Sequence, residues 1–318
     1  MKSIRTKIGD KIKQTQVLLL ESLRRTLKVP DEADLERKMK LVVEHMPSLT
    51  ARYWPYRPEQ QHWLIPKAEE TLGIDPDDHL PIPPQSLWAG YSDNPKDYIE
   101  VGRRHFTQMF DALQSAGFVQ TEGQRILELG CAAGRVLRNL RHAALSSEVW
   151  GTDISVPHIV WCRHHLSPPF RFFTNTTFPH LPVEDNYFDL VYAGSIFTHI
   201  GDLEDAWLLE LRRIVRPGGY LYITVHDNHT IDAVMSVPPE HWIYTTNIRR
   251  QLDDFEQRTR FRESGFDMFL VSRDPGNTQV FHDLDYIRKN WGGVFDIVSV
   301  VPENMCVQTG IVLRKCTK

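Results

Sequence analysis

The sequence predicts an α/β protein whose sheet is mostly parallel and is covered by helices on both sides. Three observations support this fold class. The apolar strand RILEL at 125–129 runs into a turn of small residues at 130–134. A second strand at 148–153 ends in Asp153. Strands and helices then alternate as far as residue 225, which is typical of parallel sheets with crossover helices.

The composition is that of an ordinary globular chain. Its 318 residues are 41% hydrophobic and 25% charged, with a formal net charge of -4. This charge gives no electrostatic reason to expect a nucleic-acid partner. The four cysteines form no C-x-x-C pair and have no metal-ligand spacing, so we expect no metal site and a reduced, cytoplasmic setting.

Residues 1–29 form a basic amphipathic segment that we expect to be helical. One interpretation is a helix that docks on the domain or on a second copy of it, which would give a homodimer. The other is peripheral contact with an anionic membrane surface, because basic amphipathic helices bind such surfaces. The apolar run within it is too short for a membrane span.

Residues 30–93 read as an N-terminal extension with one helix at 31–46, followed by segments rich in proline and aromatic residues. Such segments are poor strand formers. Two interpretations stay open, a lid that excludes water from an active site and a structural extension packed on the core. A helix over 94–117 then delivers the chain to the first strand of the main domain, residues 94–318.

The turn at 130–134 points to a ligand that carries a positive charge. Gly130 and Gly134 let the backbone approach a ligand closely, and Ala132 lies between them. Glu128 precedes the first glycine by two residues. A carboxylate there is poorly suited to a pyrophosphate, which needs N–H donors, and is well suited to a cation.

These residues resemble the first motif of the class I S-adenosylmethionine-dependent methyltransferases, acid-x-Gly-x-Gly-x-Gly, from which this chain departs at Ala132. The F-D-L-V strand at 188–191, the following helix and the R-P-G-G strand start at 216–219 match the same family. The resemblance implies S-adenosyl-L-methionine as cofactor. It also implies a three-layer Rossmann-like methyltransferase fold with a seven-stranded, mostly parallel sheet and an antiparallel last strand.

Further elements follow in order along the chain. We expect a helix over Arg135–Ala144, a helix around His158–His165, and a helix from Leu203 whose last turn contains Arg216. The final strands are FDIVSVV and QTGIVLR, and residues 232–282 form an inserted cap that includes a strand in MFLVS. An insertion at this end of the sheet lies where open α/β folds bind ligands, so we expect it to help select the substrate.

The resemblance also implies which residues contact the cofactor. Asp153 would accept hydrogen bonds from the ribose hydroxyls, although it could instead cap the following helix. Asn175 or Thr176 would contact adenine, or else satisfy their own turn. Tyr98 and Gly102 would lie over the cofactor. The expected contacts are Glu128, Gly130, Ala132, Gly134, Asp153, Ile154, Asn175, Thr176, Gly194, Ser195, Tyr98 and Gly102.

Methyl transfer to a hydroxyl benefits from a base, and two histidines follow strand ends on the expected active face. They are His199 and His226, with His241 in the insertion as a weaker third candidate. For each, a structural or solvent-facing histidine is the alternative.

The expected function is methylation of a small molecule, most plausibly at a hydroxyl of a sugar or secondary metabolite. The alternatives are methylation of a protein or peptide side chain and an inactive cofactor-binding scaffold. Methyltransferases that act on the exocyclic amines of nucleic-acid bases generally carry the motif Asp/Asn/Ser-Pro-Pro-aromatic at the end of the fourth strand. The matching residues here, Ser167-Pro168-Pro169-Phe170, precede the third strand, so methylation of a nucleic-acid base is disfavoured.

Overall fold

A computed structural model describes residues 67–238, 248, 249, 252, 268–270 and 278–317. The basic segment 1–29, residues 30–66 of the extension, His241 and most of the cap lie outside the described residues. Within them, none of the helices combines the length and the apolar character needed to cross a bilayer.

A seven-stranded sheet forms the centre of the domain, and its order is β10-β11-β7-β6-β3-β4-β5. Strands β3 to β7 pair in parallel, whereas β11 runs antiparallel to both β7 and β10. The strands are β3 (Arg125–Leu129), β4 (Glu148–Asp153), β5 (Arg171–Thr174), β6 (Phe188–Ala193), β7 (Val215–Val225), β10 (Asp296–Met305) and β11 (Gln308–Arg314). This arrangement confirms the predicted sheet, including its reversed last strand.

Five helices accompany this sheet in the described part of the chain. They are α1 (Pro95–Ser115), α2 (Val156–His165), α3 (Glu204–Ile214), α4 (Asn228–Ser236) and α5 (Leu284–Asn290). Helix α1 begins where the sequence predicts, because the Asn94 side chain accepts a hydrogen bond from the Asp97 N–H and Pro95 occupies the first helical position. Helix α2 confirms the helix predicted around residues 158–165.

The two faces of the sheet bury separate hydrophobic clusters, which gives the three predicted layers. Ile126 and Tyr192 pack with residues of α1 and α2, while Leu127 and Val191 pack with residues of α3 and α5. Neighbouring residues on a strand enter opposite clusters because side chains alternate between the faces of a sheet. Glu128 therefore shares a face with Ile126, toward α1 and α2.

The predicted helix over Arg135–Ala144 is wrong. This stretch forms two short 3-10 turns, Leu137–Leu140 and Ala143–Leu145. The Asn139 amide donates to the carbonyl of Val136 at 2.9 Å, and a polar side chain that binds nearby backbone in this way competes with the α-helical ladder. Arg138 and Arg141 are also held by Asp78.

The helix predicted from Leu203, which is α3, ends earlier than expected, so the prediction that its last turn contains Arg216 is wrong. Helix α3 ends at Ile214, and Arg216 already lies in β7. There its guanidinium donates to the Asp189 carboxylate at 2.5 Å, a bond to the neighbouring strand β6. This pairing favours an extended backbone at Arg216 over one more helical residue.

The described part of the extension, residues 67–93, forms a strap across the domain. It contains two paired strands of two residues each, β1 (Gly73–Ile74) and β2 (Pro81–Ile82), and a 3-10 turn at Gln85–Leu87. Regular strands are thus as scarce here as the prolines predict. Of the cap, β8 (Met268–Leu270) pairs with β9 (Val280–His282), which places a strand in the MFLVS segment as expected.

Candidate functional site

The turn after β3 brings the backbone into a conformation that suits small residues. Gly130 has φ +76, and a Cβ there would overlap the Ile196 side chain, so a larger residue would be strained and would have to displace Ile196. Gly134 has the same φ. Ala132, where the methyltransferase motif has glycine, is held at φ +45 and carries the strain of a left-handed conformation.

Asp153 connects this turn to the end of β4. One carboxylate oxygen accepts a hydrogen bond from the Ala132 N–H at 2.8 Å, and the other accepts one from the Ser155 N–H at 2.7 Å. The second bond ties Asp153 to the residue before α2, but Ser155 occupies the N-cap position and no side chain caps this helix, so the alternative role of Asp153 as a helix cap is wrong. Burial raises the pKa of Asp153, and the two N–H bonds and nearby His158 partly oppose this rise. A carboxylate has about four acceptor positions, so two remain for a ligand.

Glu128 is buried and its Oε2 accepts a hydrogen bond from the Tyr192 hydroxyl at 3.2 Å. Burial raises the pKa of Glu128 to about 8, while Tyr192 and the positive charge of Arg135 lower it in part. The negative charge of Asp153 also acts on Glu128, so the two acids of the predicted cofactor site lie near one another. A cation bound beside them would be electrostatically favoured.

Asn175 and Thr176 follow β5 in a tight local network. The Asn175 amide accepts from the Thr152 hydroxyl at 3.0 Å and donates to the Thr176 carbonyl at 3.0 Å. The Thr176 hydroxyl accepts from the Phe178 N–H at 3.3 Å, which is the turn role that the sequence left open. Ile154, next to Asp153, is partly exposed to solvent.

Tyr98 and Gly102 lie on one side of α1. The Tyr98 ring is buried and stacks on Trp88 of the strap with centroids 5.0 Å apart. Burial raises the pKa of Tyr98 far above its ordinary value. A Cβ on Gly102 would overlap the carbonyl oxygen of Arg135, so this glycine lets α1 approach the backbone that follows the glycine turn.

The turn after β6 contains the predicted Gly194 and Ser195 in a buried polar network. The Ser195 N–H donates to the Thr224 hydroxyl at 2.7 Å, and its own hydroxyl accepts from the Gln308 amide at 2.8 Å. Gln308 in turn accepts from Thr224 at 2.5 Å. Strand β11 therefore helps to hold this turn, a contact that no sequence pattern indicated.

The structure brings His199 and His226 close enough for their charges to interact. His199 is partly exposed, and its Nδ1 bonds to the Thr278 carbonyl at 2.6 Å. His226 is fully buried, stacks on Phe281 and bonds through Nε2 to the Gln279 amide oxygen at 3.0 Å. Burial lowers the pKa of His226 to about 3, so this ring is neutral at physiological pH.

Several residues near this site were missed in the sequence. His158 of α2 donates to the Leu87 carbonyl at 3.1 Å, and Arg135 stacks on the Tyr91 ring at 3.8 Å, so the strap touches both α2 and the end of the glycine turn. His282 bonds to Glu204, which also accepts from Tyr286 at 2.8 Å. These partners are far apart in the chain, and no local spacing relates them.

Comparison with known proteins identifies the centre of this domain. Residues 127–223 match the sequence model of the methyltransferase domain family. A phthiotriol/phenolphthiotriol dimycocerosates methyltransferase of Mycobacterium ulcerans is 30% identical over 146 residues, which are 45% of this chain and 49% of that protein. A fatty-acid O-methyltransferase of Mycolicibacterium smegmatis is 28% identical over 140 residues, 42% of this chain and 50% of that protein.

Among solved structures, the magnesium protoporphyrin IX methyltransferase of Synechocystis PCC 6803 is similar, with 15% identity and a TM-score of 0.46. The alignment covers 73% of this chain and 92% of that one. The chain spans about half the length of the two curated relatives named above.

A seven-stranded sheet of this order, with a glycine turn after its central strand and an acid after the next, defines a Rossmann-like fold. The sequence match is more specific than the fold, because it assigns residues 127–223 to the methyltransferase domain family.

Proposed function

We propose that the whole chain transfers a methyl group from S-adenosylmethionine to a hydroxyl group of a small molecule, such as a sugar or secondary metabolite. The observation that carries the proposal is the position of Asp153, whose carboxylate bonds at once to the glycine turn and to the start of α2. A ribose held by this acid would lie beside the turn that admits a ligand to the backbone.

The cofactor would be held by charge as well as by shape. Asp153 has acceptor capacity for ribose hydroxyls, and buried Glu128 would favour the ammonium group of the amino-acid tail. The sulfonium supplies an electrophilic methyl group. The remaining task of the protein is to place the acceptor in line with that group and to exclude water.

A hydroxyl acceptor loses a proton during the reaction. Its oxygen forms a bond to the methyl carbon, the carbon–sulfur bond breaks with its electron pair going to sulfur, and the proton goes to a base. His199 is the better placed of the two histidines, because it is partly exposed whereas His226 is enclosed in the core.

The fatty-acid relative is named as an O-methyltransferase, which supports oxygen as the methylated atom without distinguishing a hydroxyl from a carboxylate. A base at His199 is useful to a hydroxyl acceptor, which must lose a proton, whereas a carboxylate acceptor is already anionic.

The proposal is tested by transfer of an isotopically labelled methyl group. The full chain is incubated with methyl-labelled S-adenosylmethionine and a small-molecule extract from which proteins have been removed, and the labelled products are identified by mass spectrometry. We expect a labelled ether of a small molecule. Label in added protein and none in small molecules would favour the side-chain alternative, and label in neither would favour an inactive scaffold.

His199→Gln tests the base. We expect the turnover of the labelled reaction to fall by about 10²-fold or more, because that is the usual contribution of a general base, with the dissociation constant of S-adenosylhomocysteine changed less than about twofold. His229→Gln is the matched control, since His229 is exposed and bonds to Glu303 at the surface. Unchanged turnover in His199→Gln would dismiss this residue as the base.

A further inference from the structure

A short segment of the cap, residues 278–280, contacts both predicted histidines at consecutive positions. The Thr278 carbonyl lies 2.6 Å from His199 Nδ1, and the Gln279 side-chain oxygen lies 3.0 Å from His226 Nε2. The Val280 N–H donates to the Thr198 carbonyl at 2.9 Å, directly before His199 in the chain. Three adjacent residues thus hold the turn after β6 and the end of β7.

These bonds determine which nitrogen of each ring carries the proton. A carbonyl oxygen only accepts hydrogen bonds, so His199 must donate through Nδ1–H and its Nε2 keeps the lone pair. An amide oxygen likewise only accepts, so His226 donates through Nε2–H. The two rings are therefore opposite tautomers, and each is fixed by a neighbouring residue of the same segment.

The surroundings of both rings favour the neutral forms. Gln279 is almost fully buried, so its bond to His226 is shielded from competing water. Although part of the His199 ring is exposed, desolvation by the surrounding chain lowers the pKa of His199, and the bond to Thr278 opposes this only in part. A neutral imidazole is the form that accepts a proton.

We propose that Thr278 and Gln279 are positioning residues, an inference that rests on the proposed function. They fix the opposite tautomers of His199 and His226, and His199 thereby presents Nε2 as the proton acceptor. Because residues 278–280 belong to the inserted cap, the same element that is expected to contact the acceptor also orients the base. A shift of this segment would turn the His199 ring and remove its Nδ1 partner at the same time.

The tautomers are measured directly by long-range proton–nitrogen correlation spectra of the full chain labelled with ¹⁵N-histidine. Signals are assigned by their loss in His199→Gln and His226→Gln. At pH 7 we expect the Nδ1–H tautomer for His199 and the Nε2–H tautomer for His226. The reverse assignment for His199, or rapid exchange between its tautomers, would overturn the proposal.

Two substitutions at Gln279 separate positioning from packing. Gln279→Met keeps a similar volume but has no amide oxygen, so we expect His226 to lose its single tautomer, while His199 keeps its Nδ1–H tautomer and S-adenosylhomocysteine binds within twofold of normal. Gln279→Glu keeps an acceptor oxygen at this position, so His226 should retain its Nε2–H tautomer. An unchanged His226 signal in Gln279→Met would contradict the proposed role.

This experiment also separates failure of the inference from failure of the proposed function. The spectra report the two tautomers whether or not any methyl group is transferred. Correct tautomers without turnover would reject the methyl-transfer proposal alone. Turnover with the wrong His199 tautomer would reject the positioning role alone.

Discussion

Glu128 is a buried acid whose charge state is expected to change when a cofactor binds. Burial raises its pKa to about 8, so the carboxyl carries a proton at pH 7 in the free protein. An ammonium group placed beside it would favour the carboxylate and release that proton. The affinity for S-adenosylhomocysteine should therefore rise between pH 6 and pH 7.5, by at most about tenfold per pH unit.

Titration calorimetry in two buffers with different ionisation enthalpies measures both the affinity and the released proton. The Glu128→Gln variant provides the control, since it should bind without a proton release and with a flatter pH dependence. A slope in the variant equal to that of the normal protein would show that another group is responsible.

The same pKa predicts an effect on stability. The pKa of Glu128 in the folded protein, about 8, lies above the ordinary value for glutamate of about 4.3. The contribution of Glu128 to the free energy of unfolding is therefore largest below about pH 4.3, and it is lost as the pH rises to about 8. We expect Glu128→Gln to raise the thermal midpoint at pH 8.5 relative to the normal protein. An equal or lower midpoint would mean that the carboxylate is stabilised in the fold.

Ala132 holds a left-handed conformation with φ +45 in the middle of the glycine turn. An L-residue other than glycine loses about 1–2 kcal/mol there, whereas glycine costs about 0.5–1 kcal/mol through the entropy of the unfolded chain. We expect Ala132→Gly to raise the free energy of unfolding by up to about 1 kcal/mol. Ala132→Val should lower it by about 1 kcal/mol or more, because a β-branched residue fits this region least.

Urea titrations of these two variants measure the difference. The bond from the Ala132 N–H to Asp153 does not involve the side chain, so both variants can retain it. Greater stability in Ala132→Val than in Ala132→Gly would contradict the strain assigned to this position.

At the scale of the elements, the strap of residues 67–93 is fastened to the domain by Arg138. This guanidinium is buried and donates to both Asp78 oxygens, at 2.5 and 2.8 Å, and to the carbonyls of Leu80 and Pro81 at 3.1 Å each. Burial raises the pKa of Asp78, but Arg138, the Leu80 N–H and Arg103 together lower it more, so the pKa lies below its ordinary value. A depressed pKa means that this contribution is present at neutral pH and is lost on acidification.

We expect Asp78→Asn to lower the free energy of unfolding by about 3 kcal/mol, because it leaves the Arg138 charge buried without its counter-ion. Asp77→Asn is a matched control one residue away. The Asp77–Arg103 pair is well exposed, with side-chain exposures of 67% and 37%, so its loss should cost less than about 1 kcal/mol. Urea unfolding at pH 7 measures both. Equal effects of the two substitutions would show that the strap does not depend on Arg138.

The whole molecule shows which features local sequence patterns can predict. The strands of the sheet and helix α1 were predictable because apolar periodicity acts over short distances, whereas the reversed last strand was expected from the resemblance to the methyltransferase family. The helix expected at 135–144 is replaced by 3-10 turns in which Asn139 bonds to nearby backbone and Asp78, some 60 residues away, holds Arg138 and Arg141. Tertiary contacts of this kind leave no local signal.

The residues of the candidate site also fall into two groups, those that the sequence predicts and those that only the fold brings to the site. The glycine turn and Asp153 are recognisable because their spacing in the chain fixes their spacing at the sheet end. Thr278, Gln279 and Gln308 are not, because each reaches the site from an element more than 50 residues distant, through the fold alone. Sequence reasoning could name the two histidines, but only the structure gives their partners.

The central claim is that Asp153 and the adjoining glycine turn form a nucleoside-binding site, and titration of the full chain with S-adenosylmethionine by calorimetry tests it most directly. We expect the normal protein to bind one cofactor per chain. The affinity of Asp153→Asn for the cofactor should be lower by about tenfold or more, while the surface variant Asp111→Asn should bind it with normal affinity. The claim would be contradicted if the normal protein bound no cofactor, or if Asp153→Asn bound it with unchanged affinity.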